Sequence, residues 1–94
     1  MRKQRYYKAW ITEGSSFITE SAKAICFEID NGHYSSEYAS STVWFPKSQI
    51  KYGEIEEGTN NRVIYIPVWL FTTKGIKNPD ILRGITFDRF TVEM

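Results

Sequence analysis

The sequence predicts a mainly β domain, α+β at most: a small antiparallel sheet or a partly open five-stranded barrel, with one short helix before the last strand. Three observations lead there. Ala24-Ile25-Cys26-Phe27-Glu28-Ile29 alternates on a two-residue period and runs into Asn31-Gly32. A second apolar run, Val43-Trp44-Phe45-Pro46-Lys47-Ser48-Gln49-Ile50, follows a polar stretch. Two β-type segments around a turn signal specify an antiparallel pair, to which the other strands add.

The first predicted strand covers Arg5–Thr12, with Tyr7, Ala9 and Ile11 on one face and Tyr6, Lys8 and Trp10 on the other. Glu13-Gly14-Ser15-Ser16 is a turn, and Phe17–Ser21 either joins the next strand or crosses irregularly. Lys23–Asp30 is the second strand, with Ile25, Phe27 and Ile29 facing the core. Asn31-Gly32 is a two-residue hairpin signal, because both residues tolerate positive φ. His33–Thr42 reads either as a twisted strand extension or as a Ser/Tyr loop.

Val43–Ile50 is the third strand; Pro46 lacks a ladder donor, so the strand lies at an edge or bulges there. Lys51–Asn61, polar and containing Gly53, Gly58 and Asn60-Asn61, is a long hairpin loop. Arg62–Ile66 is a β-branched fourth strand. Pro67 suits a helix start, Lys74 its last turn and Gly75 the residue just past it, which predicts a helix over Val68–Lys74. Asn78-Pro79-Asp80 opens a turn, with a helical turn at Asp80–Arg83, and Ile85–Val92 is the last strand. No repeat or linker divides residues 1–94, so one domain is expected.

The chain has 94 residues, 41% of them hydrophobic, with three Trp, six Tyr and six Phe. Rings bury much area each, so a core forms without disulfides or structural metal, and rings remain for a binding surface. Twelve Lys and Arg against eleven Asp and Glu give a net charge of +1. That balance argues against a histone-like polyanion binder and against an acidic nucleic-acid mimic. The charge is uneven: Arg2, Lys3, Arg5 and Lys8 make a basic start, and Glu54, Glu56 and Glu57 an acidic loop. Cys26 is alone, which excludes an intrachain disulfide and a cysteine metal cluster. With no membrane-length apolar run and no signal-peptide core, the expected location is the cytoplasm, with no membrane contact.

Ala24-Ile25, Val43-Trp44-Phe45-Pro46-Lys47-Ser48-Gln49-Ile50 and Ile66-Pro67-Val68-Trp69-Leu70 resemble the core of a loose group of small, uncharacterised bacteriophage and mobile-element proteins. In that group a Lys-Ala-aliphatic strand precedes a Trp-x-Pro-Lys-Ser strand, and a Pro-x-Trp-Leu helix start closes the core. The resemblance spans roughly residues 20–75 and implies a phage-type setting inside a host cell. Small proteins of that setting commonly bind nucleic acid or inhibit host enzymes.

No catalytic constellation emerges, and a non-enzymatic protein without cofactor or metal is expected. Lys47 and Ser48 are neighbours, but adjacent strand residues point to opposite faces, so Lys47 is not a base for Ser48. Lys47 is expected to meet an acidic group or a phosphate. His33 lacks ligand partners at metal spacing, the glutamates lack the oxygen density of a calcium loop, and the glycines are isolated turn residues.

What remains is the interleaving of rings with cations. The first functional reading is single-stranded nucleic-acid binding through Arg2, Lys3, Arg5, Tyr6, Tyr7 and Lys8, with Lys47 and Lys51 as further cations. The second is a protein-interaction module that inhibits a host defence nuclease, an anti-CRISPR-like role, through Tyr34, Tyr38, Glu54, Glu56 and Glu57. A third is a structural subunit of a phage particle that self-assembles through exposed sheet edges, and the sequence is compatible with a homo-oligomer. Trp44 and Trp69 are expected in the core, whereas the exposure of Tyr6, Tyr7, Tyr34, Tyr38 and Tyr52 is left open.

Overall fold

The alternation at the start of the chain forms a strand, β1 (Arg5–Thr12), that runs through the middle of a sheet. The computed structural model describes residues 3–12, 14–29, 42–55 and 57–94, and the protein is mainly β. Along the chain follow β2 (Ile18–Glu20), β3 (Ala24–Glu28), β4 (Thr42–Pro46), β5 (Lys51–Ile55), β6 (Asn61–Pro67), α1 (Val68–Thr73) and β7 (Ile85–Glu93). These strands make two antiparallel sheets, one ordered β5-β6-β1-β7 and the other β2-β3-β4.

The expected mainly β fold with antiparallel pairing and a short helix before the last strand is found, but its strands form two sheets where one was expected, and the described strands do not close into a barrel. Two segments account for the difference. Phe17–Ser21 supplies the short β2, which hairpins onto β3 at Ser21, whose Oγ accepts from the Ala24 N–H at 3.1 Å. Lys51–Asn61, expected as a loop, begins with β5, an edge strand exposed along its whole length. A strand with water on both faces needs no apolar alternation, so its period is silent.

β4 ends earlier than expected, at Pro46, and a 3₁₀ turn takes over at Lys47–Gln49. Proline has no N–H to extend the ladder, and β4 accordingly lies at a sheet edge. The helix ends close to the predicted position. Gly75 has φ +74°, its N–H donates to the Thr72 carbonyl at 3.1 Å, and the Ile76 N–H donates to the Phe71 carbonyl at 2.9 Å. This is a Schellman closure, which requires the left-handed backbone that glycine adopts without strain. A 3₁₀ turn at Pro79–Ile81 is capped by the Asn78 side chain, which accepts from the Asp80 N–H. The predicted hairpin at Asn31-Gly32 and the His33–Ser41 stretch lie outside the described residues.

The core sits between the sheets. Ala9, Ile11, Ile64 and Ile66 come from the larger sheet, Ile25, Phe27, Val43 and Phe45 from the smaller, and Leu70 and Phe71 from α1. Phe71 joins the layers, with ring centroids 5.0 Å from Tyr7, 5.8 Å from Phe87 and 5.1 Å from Phe45. Each fully buried apolar side chain stabilises by about 1.5–3 kcal/mol. Ring pairs add about 0.5–1.5 kcal/mol each.

A candidate binding face on the four-stranded sheet

With Tyr7, Ala9 and Ile11 turned inward, Tyr6, Lys8 and Trp10 point to the other side of the larger sheet. The register extends that set across the strands. Trp10 is opposite Val63 on β6 and Thr86 on β7; Lys8 is opposite Tyr65, which is opposite Lys51 on β5; Tyr6 is opposite Pro67 and Val92. The outer face thus carries a lysine–tyrosine–lysine row between a tryptophan row and a tyrosine row. Lys8, Trp10, Val63 and Tyr65 on this face are half-buried, while Tyr6 and Pro67 at its end are buried.

Cations and rings are in contact on this face. Lys8 Nζ lies 5.3 Å from the centroid of the Trp10 ring, and Lys51 Nζ lies 5.1 Å from that of Tyr6. Such pairs are worth about 0.5–1 kcal/mol at exposed sites. Farther along β7, Phe90 is 70% exposed, with the Arg89 guanidinium 5.7 Å from its centroid.

The register of β5 on β6 breaks between Tyr52, opposite Ile64, and Ile55, opposite Arg62. Gly53 and Glu54 therefore share the single position opposite Val63, which is a β-bulge. Beside it an open groove of about 570 Å³ has Trp10, Val63 and Tyr65 on its floor, with Lys8, Glu54 and Glu57 at its sides. That volume is within the range of small-molecule sites. The groove can stack a planar group, meet an anion at Lys8 and accept hydrogen bonds at its carboxylates.

The residues predicted to bind nucleic acid divide into several places. Lys3 and Arg5 are exposed at the start of β1, Lys8 and Lys51 lie on the outer face, and Arg2 is outside the described residues. Tyr6 is on the outer face but only 5% exposed, with Pro67 and Val92 opposite it on the neighbouring strands, the Lys51 ammonium over its ring, and its hydroxyl donating to Gln4 Oε1 at 3.2 Å. Tyr7 departs from the expected set: it is half-buried on the inner side of the sheet, where its ring packs edge-on against Phe71 and Phe87.

Lys47 is on neither face of that sheet's binding rows; its Nζ lies 3.2 Å from Glu20 Oε1, so it meets a carboxylate. Tyr52 belongs to the same neighbourhood, on the inner side of β5 opposite the core residue Ile64. Burial pushes its phenol above the ordinary value; Lys47 opposes that rise, Glu20 adds to it and Arg62 opposes it. Of the residues assigned to protein interaction, Glu54 and Glu57 line the groove, whereas Tyr34, Tyr38 and Glu56 lie outside the described residues.

The tryptophans depart from expectation. Trp44 is 45% and Trp69 44% exposed. Trp44 is opposite Cys26, on the outer face of the smaller sheet and on its edge strand. Trp69 is on the solvent side of α1, whose inward residues are Leu70 and Phe71. Trp10 and Tyr65 are the site residues absent from the predicted binding set, although Trp10 shares the outer parity of Lys8, and Val63 and Tyr65 alternate with Ile64 and Ile66 in plain view.

Among the described residues no group of three or more His, Cys, Asp or Glu gathers as a metal site, and no helix is long and apolar enough to cross a membrane. Comparison with known protein families, curated proteins and solved structures finds no match.

Proposed function

We propose that the protein is a non-enzymatic binding module that holds single-stranded nucleic acid on the outer face of its four-stranded sheet. The observation that carries this reading is the interleaving of cations and rings: Lys8 over Trp10, and Tyr65 between Lys8 and Lys51. Bases stack on such rings whatever their identity, at about 1–3 kcal/mol each, while the cations track the phosphates. Trp10 and Tyr65 are the stacking plates. Lys8 occupies the Trp10 ring in the free protein, and its flexible stem lets it swing to a phosphate when a base takes that place. Lys3 and Arg5 continue the cationic track beyond the rings.

Stacking carries most of the affinity here, because Glu54 and Glu57 offset the lysines. Titration of a fluorescent oligothymidylate at low and moderate salt tests the reading. Binding that weakens with salt and is lost in Trp10→Ala supports it. No binding at low salt removes it. With this reading we propose a setting in the cytoplasm of a host cell, which is what the resemblance to phage-type proteins implies.

Trp44 and Trp69 favour a second reading, inhibition of a host defence protein, since large exposed rings are typical anchors of protein interfaces. In that case Trp44→Ala and Trp69→Ala weaken capture of a purified host defence nuclease, and Trp10→Ala leaves it intact.

A further inference from the structure

We infer that the groove beside Trp10 is a guanine-recognition subsite, in which the Glu54 carboxylate accepts paired hydrogen bonds from N1–H and N2–H of a base stacked on the indole. The inference rests on the single-strand reading and adds base selectivity to it.

The starting point is the bulge. A Cβ on Gly53 would lie 3.2 Å from both Cβ and Cγ1 of Val63, so a residue without a side chain lets two β5 residues share the place opposite one valine. Glu54 is thereby brought beside the groove, one strand removed from Trp10, with Val63 between them. Strand spacing sets β5 and β1 roughly 9–10 Å apart. A two-ring purine on the indole and an extended glutamate side chain together bridge that gap, and a one-ring pyrimidine reaches less far.

The charge balance makes Glu54 informative. Neither Glu54 nor Glu57 has an ion-pair partner among the described residues. A free carboxylate beside a phosphate track repels the backbone, so its favourable use is at a base edge that donates. Guanine presents two parallel donors, N1–H and N2–H, which match the two carboxylate oxygens. Cytosine and adenine each place an acceptor beside their amino group, and thymine places its single N–H between two acceptors. A bidentate fit therefore selects guanine, by roughly tenfold or more for a good pair. Lys8, on the other side of the groove, remains for the phosphate.

The experiment compares four labelled oligothymidylates by fluorescence anisotropy: unsubstituted, or with one central guanine, adenine or inosine. The single-guanine strand is expected to bind roughly tenfold or more tightly than the unsubstituted one. Inosine, which lacks the 2-amino group, forfeits most of that gain. Glu54→Gln removes the guanine preference and, by taking away a carboxylate that repels the backbone, tightens the binding of plain oligothymidylate; the residue is exposed on an edge strand, so the fold tolerates the change. Equal affinity for all four strands, with Trp10 still required, overturns guanine recognition and leaves the single-strand reading standing. A guanine preference that survives Glu54→Gln also overturns it. Absence of binding to any strand overturns both.

Discussion

Gly84 packs against Ser15 so closely that a Cβ on the glycine would stand 2.7 Å from the Ser15 Oγ. Here the turn before β2 meets the entry to β7, and the contact links the two sheets. The Ser15 Oγ is not free to move away, because it accepts the Phe17 N–H at 3.2 Å. Arg83 tightens the same junction, with its guanidinium 4.2 Å from the Phe17 centroid and its N–H donating to the Glu28 carbonyl at 2.9 Å.

Gly84→Ala is therefore expected to destabilise more than Gly58→Ala. Both glycines have φ +80°, but a Cβ on Gly58 meets nothing within 4 Å. Gly58→Ala bears only the cost of a left-handed alanine, about 1–2 kcal/mol. Gly84→Ala adds the clash and loses the Ser15 hydrogen bond, for a total of about 3 kcal/mol. Urea unfolding of the two variants separates the terms, and equal midpoints would remove the packing role of Gly84.

Phe71 is the next test, because it touches both sheets from a helix of six residues. Phe71→Ala leaves a cavity facing Tyr7, Phe87 and Phe45, with an expected loss of about 3–5 kcal/mol. Phe71→Leu fills part of that space and is expected to lose less than half as much. A calorimetric melting temperature for each variant checks the ranking; an equal fall for both would mean that ring volume at this position does not join the layers.

Periodicity made the inner half of this molecule legible. Tyr7, Ala9 and Ile11, Ile25 and Phe27, and the Pro67-to-Gly75 frame of the helix each announce an element, because burial on one side leaves a pattern. The binding face was harder to read for the same reason. β5 is solvated on both sides and holds a bulge, so Gly53 and Glu54 looked like parts of a loop. Tyr65 was passed over in a strand noted for its β-branched residues. Trp44 and Trp69 were assigned to the core by hydrophobicity alone, but hydrophobicity does not reveal which strand lies at an edge or which side of a two-turn helix meets water. Tyr7 had already been placed inward by its alternation, and that parity outweighs its proximity to the basic start of the chain.

Tyr52 predicts a pH effect whose sign follows from its environment. Its folded-state phenol is raised, chiefly by burial, with Lys47 and Arg62 opposing and Glu20 reinforcing the rise. An unfolded tyrosine titrates at about 10. Below that pH both states keep the proton and the contribution is fully present; as pH climbs through the folded value it is lost, because the unfolded chain releases its proton first. Wild type should therefore lose stability more steeply above about pH 10 than Tyr52→Phe, which has no proton to release. Parallel urea series at pH 9 and pH 11 give the comparison, and equal slopes would show that Tyr52 gains no such environment on folding.

The cations of the outer face make a quantitative prediction about salt. Single strands lose affinity with a log–log slope of roughly −0.7 for each phosphate neutralised. Lys8 and Lys51 are both within reach of a strand lying across Tyr65, so Lys8→Gln and Lys51→Gln should each flatten the slope by about 0.7. Trp10→Ala should behave differently, weakening binding by the stacking contribution of about 1–3 kcal/mol without altering the slope. Lys47→Gln serves as the contrast: its ammonium is already committed to Glu20 away from this face, so both affinity and slope should stay as in wild type. Isotherms for the four variants at several salt concentrations separate charge from stacking, and a slope that responds to Lys47 but not to Lys8 would move the nucleic-acid path off the four-stranded sheet.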